Sequence, residues 1–128
     1  MGVEADHAET APDADELVVT ALSCSLVGQS QEVFLQPGSR AAELYGAERV
    51  EEDYFCSYGL SPQYRPAIEA AGLPVTGWEA DGEARIVELP SHPFFIATLF
   101  CFQTRSRPDA PHPLASGLVE AAREQAPA

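Results

Sequence analysis

Residues 88–122 read ELPSHPFFIATLFCFQTRSRPDAPHPLASGLVEAA. Inside that stretch, residues 94–100 (FFIATLF) form a nearly unbroken apolar run, bounded by His92 and Pro93 before it and by polar residues after it. A short apolar run with such boundaries predicts a central strand covered on both faces. Beyond it, Pro108, Pro111 and Pro113 mark a loop. Leu114, Leu118 and Ala122 then recur at helical spacing, which predicts a helix over 114–124.

Upstream, the chain alternates between strand and helix signals. Residues 17–22, 26–27 and 33–35 are β-rich, with Gly28-Gln29-Ser30 as a turn between the last two. Pro37-Gly38 closes that section. Ser39 is a cap for a helix over 40–45, and Gly46 is placed to end it in a left-handed conformation. A strand follows over 49–55, and the acidic side chains Glu48, Glu51, Glu52 and Asp53 read as its solvated entry. Ser61 before Pro62 predicts a helix over 62–71 that stops at Gly72. Residues 73–78 and 84–89 flank Asp81-Gly82, a hairpin signal.

The opening residues 1–16 carry Glu4, Asp6, Glu9, Asp13, Asp15 and Glu16 against no Lys or Arg. With few large apolar side chains they have little burial to offset the entropy of ordering, so an acidic mobile arm is expected there, with one folded unit over 17–126. A chain of 128 residues has the length for one core.

Composition narrows the function. The net charge of −13 repels phosphate backbones and anionic lipid, so neither nucleic acid nor membrane is an expected partner. All seven basic residues are arginine. Without lysine there is no P-loop lysine and no Schiff-base lysine. The opening residues lack the basic start and apolar stretch of a signal peptide, and a cytoplasmic protein is expected. Cys24, Cys56 and Cys101 are odd in number and have no CxxC spacing, so reduced thiols are the default. Together with His112 they lack the close spacing of a zinc site, and no metal or cofactor is expected.

Several segments together resemble the C-terminal half of the class I glutamine amidotransferase domain of CTP synthase. They are His92-Pro93-Phe94-Phe95 at the strand entry, Ser106-Arg107-Pro108 in the loop and His112-Pro113-Leu114 before the last helix. Tyr58-Gly59-Leu60-Ser61-Pro62-Gln63-Tyr64 and Gly72-Leu73-Pro74-Val75-Thr76-Gly77 add a second match upstream. The resemblance implies a partial flavodoxin-like α/β fold with a mixed sheet and two main helices. In the family this domain hydrolyses glutamine to supply ammonia for the conversion of UTP to CTP.

The same resemblance places Cys101 and Gln103 where the family has its catalytic His and the Glu that orients it. It places Asp53, Phe55, Cys56 and Ser57 in the arginine-rich loop that helps receive the substrate. A thiol with an ordinary pKa near about 8.5 is a poor proton shuttle at neutral pH, and glutamine cannot supply the orienting negative charge. Triad losses typically cost about four to six orders of magnitude in rate. The nucleophile region is absent as well, because Cys24 lies in TALSCSLVG with no Gly-x-Cys-x-Gly elbow.

The expectation is therefore an amidotransferase-like binding or structural module without glutaminase activity of its own. The alternatives are half of a split enzyme whose partner chain supplies the nucleophile, and thiol chemistry at Cys101. His92 lies nine residues before Cys101, roughly 25 to 30 Å along an extended strand, and reads as structural. An uncovered sheet implies either a homo-oligomer or a separately encoded N-terminal half-domain as partner.

Overall fold

A computed structural model describes residue 2 and residues 4–127. Among the described residues eight strands form two sheets. The smaller sheet, in the order β1-β2-β5, consists of Asp6–His7, Leu17–Ala21 and Tyr58–Leu60. β1 runs parallel to β2, and β5 antiparallel. The larger sheet is wholly antiparallel and has the order β4-β3-β6-β7-β8. Its strands are β3 (Gln29–Leu35), β4 (Arg49–Tyr54), β6 (Val75–Trp78), β7 (Ala84–Glu88) and β8 (Ile96–Thr98).

Three α-helices among the described residues complete the fold: α1 (Arg40–Tyr45), α2 (Arg65–Ala70) and α3 (Pro113–Gln125). Leu26, Val33, Leu35, Ala41, Tyr54, Ile86, Phe100 and Leu114 make one core between the larger sheet and the helices.

α1 forms as its sequence signals require. The Ser39 side chain accepts from the Ala42 N–H, and Gly46 adopts φ 65° at the C-cap. A second cap comes from a distant strand, since the buried Glu88 carboxylate accepts from the Arg40 N–H at 2.9 Å and from the Ala41 N–H at 3.4 Å. A negative charge at a helix start satisfies otherwise orphaned amides. It also ties α1 to β7. The expected hairpin is present as β6 and β7, with Gly82 at φ 86° in its turn.

Several expectations give way to the structure. The run 94–100 does not make a central strand. Only Ile96–Thr98 are strand, and β8 is the outer strand of its sheet, paired to β7 alone. Its apolar character suits burial on both faces, yet Phe95 and Ala97 are exposed. Gln29 and Ser30 belong to β3 rather than to a turn, because Gly28 at φ 73° makes the bend by itself.

The helix expected over 62–71 divides into a 3-10 turn, Pro62–Tyr64, followed by α2. On α3 the buried residues are Leu114, Gly117 and Ala121, while Leu118 is about half exposed. Gly117 lies so close to α1 that a Cβ there would come within 2.7 Å of the Leu44 side chain. The helix turns its smallest residue, not its leucine, toward its neighbour.

Glu52 is not part of a solvated entry: it is 1% exposed. The acidic opening segment, expected as a mobile arm, carries β1. The Asp6 N–H donates to the Glu16 carbonyl and the Ala8 N–H to the Val19 carbonyl. Glu16 also accepts from the Tyr64 hydroxyl. The edge of β2 supplies the main-chain partners that the segment's side chains do not.

Candidate functional site

β4 and the turn after β8 converge at one end of the larger sheet. The Cys101 N–H donates to the Asp53 carbonyl at 2.9 Å. A 3-10 turn, Phe102–Arg105, follows immediately. Its Arg105 guanidinium reaches the Asp53 carboxylate at 2.8 Å and Glu51 at 3.0 Å. The Asp53 carboxylate also accepts from the Ser30 hydroxyl at 2.5 Å and the Thr104 hydroxyl at 3.4 Å.

These donors hold the Asp53 carboxyl down at about 2, chiefly through Arg105 and then through Ser30. The same pairing keeps the Arg105 guanidinium firmly protonated. The two halves of the expected site are thus joined by a hydrogen-bonded ion pair.

The remaining expected residues contribute unequally. Gln103 is exposed, and its carbonyl accepts from the Ser106 N–H to close the 3-10 turn. Phe55 is 55% exposed, opposite Val27 at 57%. Leu26 and Gly28 donate their N–H groups to the carbonyls of Cys56 and Tyr54 on either side of that pair. The Ser57 hydroxyl pairs with the Ser25 hydroxyl at 2.9 Å. Cys24, Cys56 and Cys101 are all free thiols, and Cys24 is exposed. Among the described residues no group of three or more His, Cys, Asp or Glu side chains is arranged to hold a metal ion.

Directly beneath this surface lies a buried polar cluster. His112 and Glu52 are 5% and 1% exposed, with Nε2 and Oε1 2.6 Å apart. His112 Nδ1 accepts from the Leu114 N–H at 3.2 Å and so caps α3. An accepting Nδ1 carries no proton, so the imidazole is the neutral Nε2–H tautomer, donating to Glu52. The Tyr45 hydroxyl donates to the same Glu52 oxygen at 2.6 Å. Burial first, and then the Glu52 carboxylate, push the Tyr45 hydroxyl well above the ordinary tyrosine range.

Three elements, α1, β4 and the start of α3, therefore meet at one carboxylate. The sequence carried one signal for this, the His112-Pro113 entry to a helix. Nothing local marks Glu52 as the inward member of an acidic run.

The other two histidines also serve local structure. His92 Nδ1 accepts from the Phe94 N–H at 3.1 Å, and His7 Nδ1 accepts from the Glu9 N–H at 3.1 Å. A cleft of about 300 Å³ lies beside α1, bordered by Arg40, Thr76, Glu88, His92 and Phe94. Neither Cys101 nor the 53–57 loop borders it. No candidate helix of this chain is long and apolar enough to cross a membrane, among the described residues.

The fold defines the chain as part of a class I glutamine amidotransferase-type domain. It superposes with a TM-score of 0.87 on the Trypanosoma brucei CTPS glutaminase domain with bound acivicin, at 22% identity, and covers 97% of this chain and 52% of that one. By sequence the chain is homologous to CTP synthases. It is 42% identical over 108 residues to the CTP synthase of Pyrobaculum calidifontis, covering 84% of this chain, and 41% identical over 113 residues to that of Pyrobaculum aerophilum, covering 88%. It spans 20–21% of the length of those relatives. No family model matches the chain.

Proposed function

We infer that this chain is a CTP-synthase-type amidotransferase-like module that binds or scaffolds and does not hydrolyse glutamine by itself. The observation carrying the reading is the end of β8. Cys101 and Gln103 stand there, and the adjoining Arg105 is engaged by Asp53 and Glu51. A general base must lie within hydrogen-bond reach of the proton it moves. His112 is buried with both ring nitrogens engaged, which supports the view that it does not act as that base.

Asp53, Phe55, Cys56 and Ser57 would form a degenerate loop in this reading. It presents an acidic, apolar and thiol-bearing surface where the resemblance implies arginines. A charge-assisted bond to a substrate carboxylate, worth about 1.5–3 kcal/mol, would have no obvious donor there, because Arg105 is already paired. Residues 17–126 would be the amidotransferase-like unit, with the acidic opening segment appended through β1.

The purified chain is expected to release no ammonia from glutamine at neutral pH. Turnover above a protein-free control would overturn the reading.

A second reading, half of a split amidotransferase, is favoured by two observations. The chain covers 52% of the matching glutaminase domain, and β8 has no outer neighbour among the described strands. Translating the DNA immediately upstream tests it. Absence there of a strand, Gly-rich cysteine turn and helix, together with no co-purifying partner, would remove this second reading.

A further inference from the structure

The cleft of about 300 Å³ beside α1 is bordered by none of the residues at the end of β8. α1 contributes Arg40 and Glu43 to its rim. Residues three apart stand on one face of a helix, with their Cβ atoms about 5–6 Å apart. Arg49, Arg65, Arg85 and Arg105 are each paired with a carboxylate. Among the described residues, Arg40 and Glu43 have no ion partner, in each other or elsewhere. A cation and an anion thus stand unmatched on one rim.

Another wall of the cleft is aromatic and fixed in place. The Arg40 guanidinium lies over the Phe94 ring, 5.6 Å from its centre, and Phe95 beside it is exposed. His92 braces both, since its Nδ1 accepts from the Phe94 N–H at 3.1 Å and its ring meets Phe95 edge to face at 6.3 Å.

From the sheet, Thr76 and Glu88 border the cleft at 7% and 5% exposure. The Glu88 carboxylate is engaged by the Arg40 and Ala41 N–H groups, so those amides are not open to a ligand. The Thr76 hydroxyl has no partner among the described residues. Buried polar groups are almost always hydrogen-bonded, and a cleft with convergent polar groups beside an apolar wall is the usual form of a small-molecule site.

We propose that this cleft binds a free α-amino acid with a large apolar or aromatic side chain. The ligand carboxylate meets the Arg40 guanidinium, its ammonium meets the Glu43 carboxylate, and its side chain lies against Phe94 and Phe95. Both charges of such a ligand are carried on one carbon, which suits a cation and an anion one helical turn apart. A simple anion is disfavoured by the net charge of −13, and a simple cation leaves Arg40 unmatched. The site involves neither Cys101 nor Gln103, so it stands or falls separately from the proposed lack of glutamine hydrolysis.

The test is an NMR titration of the full chain with L-phenylalanine, phenethylamine, which lacks the carboxylate, and 3-phenylpropionate, which lacks the ammonium. Phenylalanine should shift the amides of residues 39–43 and 92–95 with a Kd below about 1 mM. Each single-charge analogue should bind at least about tenfold more weakly, as expected for loss of one charge-assisted bond. Arg40 and Glu43 are exposed, so Arg40→Gln and Glu43→Gln should keep the fold, which unchanged amide shifts elsewhere would verify. Each should weaken phenylalanine binding by about tenfold. Arg40→Gln should leave phenethylamine affinity unchanged, and Glu43→Gln that of 3-phenylpropionate.

No shift at residues 39–43 and 92–95 up to about 10 mM phenylalanine would overturn the proposal. So would equal affinity for phenylalanine and phenethylamine, which would make the cleft a plain cation site, or full affinity for phenylalanine in both variants.

Discussion

Glu52 and Asp53 are consecutive residues of β4, and a strand sends consecutive side chains to opposite sides. Glu52 enters the interior, where it receives His112 and Tyr45. Asp53 stays near the surface, where it receives Arg105, Ser30 and Thr104. The inner carboxylate holds three elements together away from water. The outer one fastens a turn over the strand end. One residue of separation decides whether a carboxylate serves the fold or the face of the candidate site.

The largest effect is expected at Glu52. Glu52→Ala would leave the His112 Nε2–H and the Tyr45 hydroxyl buried without an acceptor, and two hydrogen bonds to a charged group, each worth about 1.5–3 kcal/mol, set the loss at roughly 3–6 kcal/mol. Urea unfolding would measure it. A loss under about 1 kcal/mol would show that the inner cluster does not hold the fold.

Tyr45→Phe removes one donor and leaves the His112 bond, so a smaller loss of about 1.5–3 kcal/mol is expected, as for one hydrogen bond to a charged group. Glu52→Ala and Tyr45→Phe combined should cost less than the sum of the two, because both delete the same bond.

Asp53→Asn should have the smallest effect, and one that depends on pH. The Asp53 carboxyl is lowered from 3.8 to about 2, so the stability it contributes is present above about pH 4 and is lost as pH falls toward 2. Wild-type protein and Asp53→Asn should therefore differ most near neutrality and converge through that window. A gap that widened on acidification would assign the pairing the wrong sign.

The legible parts of the fold were those specified by neighbours in sequence. Ser39 and Gly46 bracket α1, and Asp81-Gly82 turns β6 into β7, because caps and turns act over a few residues. The resemblance in residues 88–122 and 58–77 likewise led to the observed fold. What local pattern misjudged was set by distant parts of the chain.

The apolar 94–100 run indicates faces suited to burial, but not where the strand sits in its sheet. Glu52 looks like Glu51 in sequence, and only the arrival of His112 sixty positions later makes its burial tolerable. Leu118 has the spacing of a core residue, yet α1 comes so close that Gly117 takes the contact.

The Asp53–Arg105 pairing also bears on how this chain could change over generations. An arginine at position 53 would set two guanidinium groups against each other, its own and that of Arg105. Positions 53 and 105 are therefore coupled: a change at either one alone leaves the other without its partner at 2.8 Å, so the two drift most easily as a pair.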